Sequence, residues 1–538
     1  MKEKGFMKGA AILGFAGVIV KILGAVYRIP VGNIITDEGM GYYQTAYPFY
    51  MLMLTVSTVG FPVAIAKLVS EKRALKDYKN AHKVFQVALL GLFIISLITS
   101  VFVFLNAEKM VNYLENPNAY YSLIALVPAL FFVPIMSAFR GYFQGMQNMV
   151  PTALSQVAEQ FFRVFFGLIL TYYLVKNNAS IAVAAGGVSF GGSIGALMGT
   201  VVIYFVYLKN KKTINLEVLS TENSVEYKTT QVIKDLLVIA IPITIGSAIT
   251  PIMDAIDTKL VMSRLQTIGY SELEANALFG QLKGFAQTLI NLPQVFSIAI
   301  GMSLVPVISE YIAKKDKENM EKTISAGIRM TLLVGLPSAV GLFVLAKPLI
   351  GLLYFNNTLE TIESTGMILR YLSIGVIFLT LVQTSTSIIQ GLGKPMIPVL
   401  TLLVGATLKV FLTYYLTAIP SININGAAIS TVCAYLISAV LNIIIIVRKF
   451  DIKFSYKDII IKPTISAVTM GIIVSVSFNL IKNIIGDSKA SLVAVLIGGI
   501  SYVVLLVVTK TITKEDILLL PKGEKIVKIL NRKGGLDE

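Results

Sequence analysis

Seven basic residues lie inside stretches that otherwise read as membrane helices: Lys21, Arg28, Arg163, Lys259, Lys283, Arg370 and Lys409. A Lys or Arg facing lipid at the bilayer centre costs roughly 2.5–3.5 kcal/mol, so the seven together represent on the order of 20 kcal/mol. That is more than the whole folding stability of a typical domain. The load is relieved if the cations line a polar cavity inside a helical bundle. A cationic cavity in a membrane protein suits an anionic substrate.

Carboxylates share these spans. Glu159 and Arg163 are four residues apart, so they lie on one helix face and can pair. Asp254 and Asp257 are three apart, again on one face, with Lys259 and Arg264 following. Paired carboxylates within a span serve proton or cation coupling, or they neutralise nearby cations such as Arg264 or Lys283. Lys21 and Arg28 are seven apart and aligned. They need anions: a substrate, Asp37, Glu38, or a carboxylate of the seventh span. Lys21, Arg28, Arg264 and Lys283 are the candidate substrate contacts. Glu159, Arg163, Asp254 and Asp257 are the candidates for charge balance or ion coupling. Arg370 and Lys409 lie nearer helix ends and are placed to snorkel.

No motif for catalysis or for a cofactor accompanies these groups. There is no phosphate-binding P-loop, no nucleophile elbow and no His-Glu-x-x-His pattern. His82 is the single histidine and reads as a solvated residue of a basic loop without metal-ligand partners, so no metal site is expected. Cys433 is the only cysteine, which excludes an intramolecular disulfide. The chain reads as a non-enzyme. Its energy would come from the membrane potential or from a sodium or proton gradient.

The elements that must hold these residues are membrane spans. Hydrophobic residues make up 55% of the 538 residues and charged residues 14%, against about 25% charged in soluble domains. Mean hydropathy is +0.76. About fourteen apolar runs are each long enough to cross a bilayer. The first, over residues 9–29, carries Lys21 and Arg28 and is not followed by a small-residue cleavage site, so it reads as a retained helix and not a signal peptide. Of the 46 Lys and Arg, 33 fall in segments on one side of the membrane, six on the other and seven within spans. The bias places both termini in the cytoplasm. The net charge of +16 is then a topology signal with an attraction to anionic phospholipids, not a nucleic-acid footprint.

The chain also repeats. Ser70 to Asn80, after the second span, matches Ser309 to Asn319, after the eighth, at six of eleven positions without a gap. Phe143-Gln144-Gly145 and Ile389-Gln390-Gly391 fall at the same place in a six-span count. The expected fold is therefore an all-α, polytopic membrane protein of two parallel six-helix lobes, 1–208 and 235–447. A linker (209–234) joins them. Two additional helices (448–509) and a basic, amphipathic or solvated cytoplasmic tail (510–538) follow. Gly187, Gly191, Gly195 and Gly199 form a small-residue face suited to close helix packing.

The run Lys21-Ile22-Leu23-Gly24 to Tyr27-Arg28-Ile29-Pro30, with Gly39-Met40-Gly41-Tyr42-Tyr43-Gln44 and Gly60-Phe61-Pro62, resembles the start of stage V sporulation protein B and its relatives. Arg140-Gly141-Tyr142-Phe143-Gln144-Gly145, Glu159-Gln160 to Arg163, Asn291-Leu292-Pro293 and Gln390-Gly391-Leu392-Gly393-Lys394-Pro395 extend the resemblance over essentially the whole chain. These proteins are MurJ-like members of the multidrug/oligosaccharidyl-lipid/polysaccharide superfamily. The resemblance implies a fourteen-helix flippase in the bacterial cytoplasmic membrane, acting on undecaprenyl-linked cell-wall precursors, with lipid II first among them. It also implies work alongside cell-wall synthesis enzymes. The sequence departs from the MurJ pattern where Tyr27 stands at a position of arginine, and where Thr288 stands at another. A multidrug or organic-cation antiporter of the same superfamily and a non-transporting scaffold for cell-wall or spore assembly remain alternatives.

Overall fold

The computed structural model describes residues 2–221, 227–450, 452, 457–509 and 511, with side chains from residue 12 onward. The expected basic tail lies outside the described residues. Those described form helices and connecting turns, with no strand. Thirteen helical segments are long and apolar enough to cross a membrane. The first of them, Ile12–Ala74, has 63 residues and would be roughly 95 Å long if straight, about three times the hydrocarbon thickness. It is two spans. Helix α1 (Lys2–Thr58) is broken at Thr36, whose φ of 58° and ψ of −171° are not helical, and α2 (Gly60–Ala74) continues it. Counted so, the spans number fourteen. Large apolar side chains such as Phe102, Leu105, Ile472 and Leu496 are exposed. In water such surface would associate; here it is what faces lipid. The chain is a multi-pass membrane protein.

Packing divides the chain into two compact units, Met1–Gly284 and Phe285–Glu538. In the first, α1 and α2 pack with α3 (Tyr78–Tyr113), α4 (Tyr120–Gly145), α5 (Val150–Lys176), α6 (Ile181–Leu219), α7 (Thr229–Thr267) and α8 (Glu272–Phe279). The second holds α9 (Gln287–Lys314), α10 (Lys317–Val344), α11 (Ala346–Leu353), α12 (Leu359–Gly391), α13 (Met396–Leu416), α14 (Ile424–Phe450), α15 (Lys462–Ile485) and α16 (Asp487–Val508). The compact division reports contact, and the six-span count reports internal similarity. They divide the chain at different places because α7 packs on α1 and α2.

The repeat has a structural counterpart. Lys76 (φ 58°) and Lys315 (φ 56°) occupy the same position in the matched loops, and both are left-handed. The next residue caps the following helix in each. Asn80 donates its backbone N–H to Asp77 Oδ1 at 3.2 Å and its amide to Oδ2 at 2.8 Å. Asn319 does the same to Asp316 at 3.1 and 2.7 Å, which holds the Asp316 carboxyl below the usual range. Such a cap satisfies a helix-end donor. The second landmark agrees: a Cβ on Gly145 would meet Val69 at 2.7 Å, and one on Gly391 would meet Ile308 at 3.2 Å. Val69 and Ile308 stand one position before the two matched loops. Neighbours repeat as well: α3–α4, α4–α6 and α5–α6 in the first unit, α10–α12, α12–α14 and α13–α14 in the second. The appended α15 and α16 pack on each other and on α10, where the Tyr502 hydroxyl donates to the Leu333 carbonyl at 3.1 Å.

The glycine face of α6 holds it against α5. A Cβ on Gly191 would lie 2.5 Å from Gly167 Cα and 2.7 Å from the Arg163 carbonyl oxygen. Backbone cannot yield as a side-chain tip can. Gly191→Ala is therefore expected to cost about 1–3 kcal/mol by overpacking. Gly246→Ala, in α7 with nothing within 4 Å of the added Cβ, should be neutral or slightly stabilising. Thermal unfolding of the two variants in detergent checks the contrast.

Candidate functional site

Two carboxylates of α7 and one lysine form the centre of the polar interior of the first unit. Asp257 and Asp254 project from α7 one turn apart. Lys283 lies in a π-helical segment, Gly280–Ala286, that follows α8. A π turn shifts the residues after it relative to α-helical register, and such turns recur at functional sites. Lys283 Nζ is 2.7 Å from Asp257 Oδ2 and 4.0 Å from Asp254 Oδ1. The Asp257 side chain is 4% exposed and that of Lys283 15%, whereas Asp254 is 50% exposed. Of the two neutralisation targets read from the sequence, Lys283 lies within ion-pair distance of both carboxylates. Gln44 of α1 donates to the Lys283 carbonyl oxygen at 3.0 Å, so α1 fixes the same segment.

A set of amides extends this contact along α1 and α8. Asn276 donates to the Glu38 carbonyl oxygen at 2.8 Å. Asn116 donates to Asn276 Oδ1 at 2.7 Å and to Thr45 Oγ1 at 2.9 Å. Gln281 donates to Asp37 Oδ2 at 2.8 Å. Small residues allow the approach: a Cβ on Gly280 would lie 2.0 Å from the Asp37 carbonyl oxygen. Nearby, Lys259 pairs with Glu115, while Gln266 donates to the Glu115 carbonyl oxygen at 3.1 Å. Lys259 also lies over the Tyr113 ring. The amides escaped the sequence reading because a neutral side chain in a span carries no energetic alarm, and Glu115 because it lies in the turn after α3, outside any span. Gln44, in the Gly-Tyr-Tyr-Gln run, was the one visible signal.

The second cluster lies where α4, α5 and α6 meet. Arg163 donates to Glu159 Oε1 at 3.1 Å, as the four-residue spacing predicts, and Arg140 donates to Glu159 Oε2 at 3.0 Å. Arg140 also reaches Ser155 Oγ at 2.8 Å. The side chains of Arg140, Glu159 and Arg163 are 14%, 17% and 21% exposed. Arg140, not among the candidate residues read from the sequence, is thus a third member of the cluster.

The remaining cations lie elsewhere along the helices. Lys21 is exposed and Arg28 half-buried on α1, where Tyr27 between them turns inward and its hydroxyl donates to the Val188 carbonyl oxygen at 3.5 Å. Arg264 is half-buried in the last turn of α7. In the second unit Arg370 is exposed over the Phe343 ring and Lys409 is half-buried. His82 is not in a loop: it lies in the first turns of α3, with Nδ1 3.2 Å from the Tyr142 hydroxyl, because the Asp77 cap starts the helix ahead of it.

The family model for polysaccharide biosynthesis proteins matches residues 6–312. The chain belongs to that family. A MatE model also matches residues 242–415 of this polysaccharide biosynthesis protein. Curated relatives span it nearly end to end. It is 30% identical to the membrane protein YabM of Bacillus subtilis (strain 168), over 99% of this chain and 98% of the relative. It is 29% identical to stage V sporulation protein B of the same organism, over 97% and 98%. It is 27% identical to the lipid II flippase MurJ, also of B. subtilis, over 92% and 94%. Among solved structures, the inward closed conformation of lipid II flippase MurJ superposes with a TM-score of 0.69 at 15% identity, covering 93% of this chain and 98% of that one. An inward-facing MATE family transporter superposes with a TM-score of 0.64 at 14% identity, over 79% and 96%. The fold is that of the MurJ and MATE transporters.

Proposed function

We propose that this family member moves an undecaprenyl-pyrophosphate-linked saccharide, lipid II or a related cell-wall precursor, across the bacterial cytoplasmic membrane by alternating access. The observation that carries the reading is the set of four cations, Lys21, Arg28, Arg264 and Lys283, in one compact unit of a chain with a flippase among its near-full-length relatives. Lys21 and Arg28 would receive the pyrophosphate. Lys283 would exchange Asp257 for a substrate oxygen, and the released carboxylate would be free to take up a coupling cation from a sodium or proton gradient. Both termini would be cytoplasmic, with anionic phospholipids and cell-wall synthesis enzymes as neighbours.

Complementation of a strain depleted of its lipid II flippase, with outer-leaflet precursor measured directly, tests this. The chain is expected to restore outer-leaflet precursor. Hydrogen bonds to charged groups contribute about 1.5–3 kcal/mol each, so Lys21→Gln with Arg28→Gln should lower flipping at least on the order of tenfold while the protein stays folded. Intact flipping in that double variant would remove these two residues from the site. The reading as an organic-cation antiporter draws on the MatE match and on Asp257; drug extrusion in a sensitised strain, without precursor flipping, would favour it. A scaffold would tolerate neutralisation of all four cations.

A further inference from the structure

The charge-bearing cavity beside Arg163 is not used by the function above. It lies between α1, α4, α5 and α6 in the first unit, and the polar part of its wall is Tyr27, Tyr43, Tyr47, Tyr50, Arg163 and Ser189. Two polar atoms there, Arg163 Nε and Ser189 Oγ, are buried without a hydrogen-bond partner. Buried donors in native proteins are nearly always satisfied, and a guanidinium has donors only. Ser189 is 1% exposed and precedes Gly192 by three residues, so the two share one face of α6. Gly192 keeps the space before the guanidinium open: a Cβ there would lie 3.8 Å from Arg163 Nε.

No carboxylate lines this cavity. Behind it, one carboxylate, Glu159, faces two guanidiniums, Arg140 and Arg163. The cluster therefore keeps one positive charge in excess within a membrane lobe, where an uncompensated charge is costly. Water would satisfy the donors but leave the charge. A small anion does both.

We propose that this cavity is a binding site for a small monovalent anion of halide size, held by Arg163 Nε and the Ser189 hydroxyl within the tyrosine wall. It is separate from the transported substrate, and its occupancy stabilises the α1–α5–α6 core.

The test uses the full-length protein in detergent, with sodium chloride, sodium bromide or sodium gluconate at constant ionic strength. Melting temperature should rise saturably with chloride and bromide by several degrees and stay flat in gluconate. Crystals grown in bromide should give an anomalous peak in the cavity. Ser189→Val removes one donor and fills the space, and should abolish the halide response. Gly192→Ala, whose methyl group fits beside Leu126 Cδ2 at 3.4 Å, is the second variant if the first fails to fold, and should raise the half-saturating halide concentration at least about tenfold. Equal melting in chloride and gluconate, a cavity with water only and no bromide peak, or an undiminished halide response in both variants would each overturn the proposal.

Discussion

Asp257→Ala is expected to be among the most damaging single substitutions in the chain. It removes the nearer and more buried of the two carboxylates beside Lys283, whose ammonium is 2.7 Å from it and whose side chain is 15% exposed. Removing the close partner of a buried pair costs about 3–5 kcal/mol, because the other charge stays buried without its main compensation. Asp254→Ala makes the internal comparison. Its carboxylate is 50% exposed and 4.0 Å from the same ammonium, so its loss should cost about 0–1 kcal/mol. The double variant Asp257→Asn with Lys283→Gln separates stability from function. Removing both charges should recover much of the stability lost by Asp257→Ala, since the two neutral amides leave no stranded ion. Precursor flipping should stay lost, because the exchange of Asp257 for substrate has no ammonium to act on. Thermal unfolding in detergent gives the first quantity and the complementation assay the second. Equal effects of Asp254→Ala and Asp257→Ala on unfolding would remove the buried pair from the account.

Glu159→Gln should be comparably severe, for a related reason. A single carboxylate serves two guanidiniums, Arg140 at 3.0 Å and Arg163 at 3.1 Å. Neutralising it leaves two cations facing each other between α4 and α5, at a cost of about 3–5 kcal/mol. Arg140→Leu should cost less. It leaves Glu159 and Arg163 as a closed one-to-one pair on one helix face. An order of stability with wild type first, Arg140→Leu second and Glu159→Gln last is the expected result of thermal unfolding. Arg140→Leu falling below Glu159→Gln would mean that the Ser155 contact, not the charge, is what Arg140 supplies.

Much of this architecture was legible because membranes constrain sequence tightly. A span must be about 20 apolar residues long, and the runs that meet this rule are the helices found. The loop match from Ser70 to Asn80 and from Ser309 to Asn319 was legible for a local reason. A left-handed residue followed by an Asp that caps three residues on is encoded within five positions, and both copies carry it. The Glu159–Arg163 pair was legible on the same ground, since four residues along a helix define a common face.

Lys259 and Lys283 mark where that legibility stops. Periodicity gives each residue a face on its own helix, but not the neighbour that the face meets. Lys259 pairs with Glu115, 144 positions away, although Asp254 and Asp257 are far closer in the chain. Lys283 reaches Asp257 from a π turn, whose extra residue per turn no apolar period announces. Arg140 joins Glu159 because the glycines of α6 let α5 settle close, a packing event between three helices.

The sequence by itself determined what must be solved: spans, repeat, family resemblance, and seven cations whose burial demands compensation. Hydrophobic length and short-range capping are local properties, so local residues specify them. Only the tertiary structure decided which partners compensate Lys259 and Lys283. Ion pairing between helices depends on register and backbone separation, which are set jointly by every contact in the unit. That is why the anomalous cations could be counted in the chain, while the choice of Asp257 for Lys283, the pairing of Glu115 with Lys259 and the sharing of Glu159 with Arg140 appeared only in the fold.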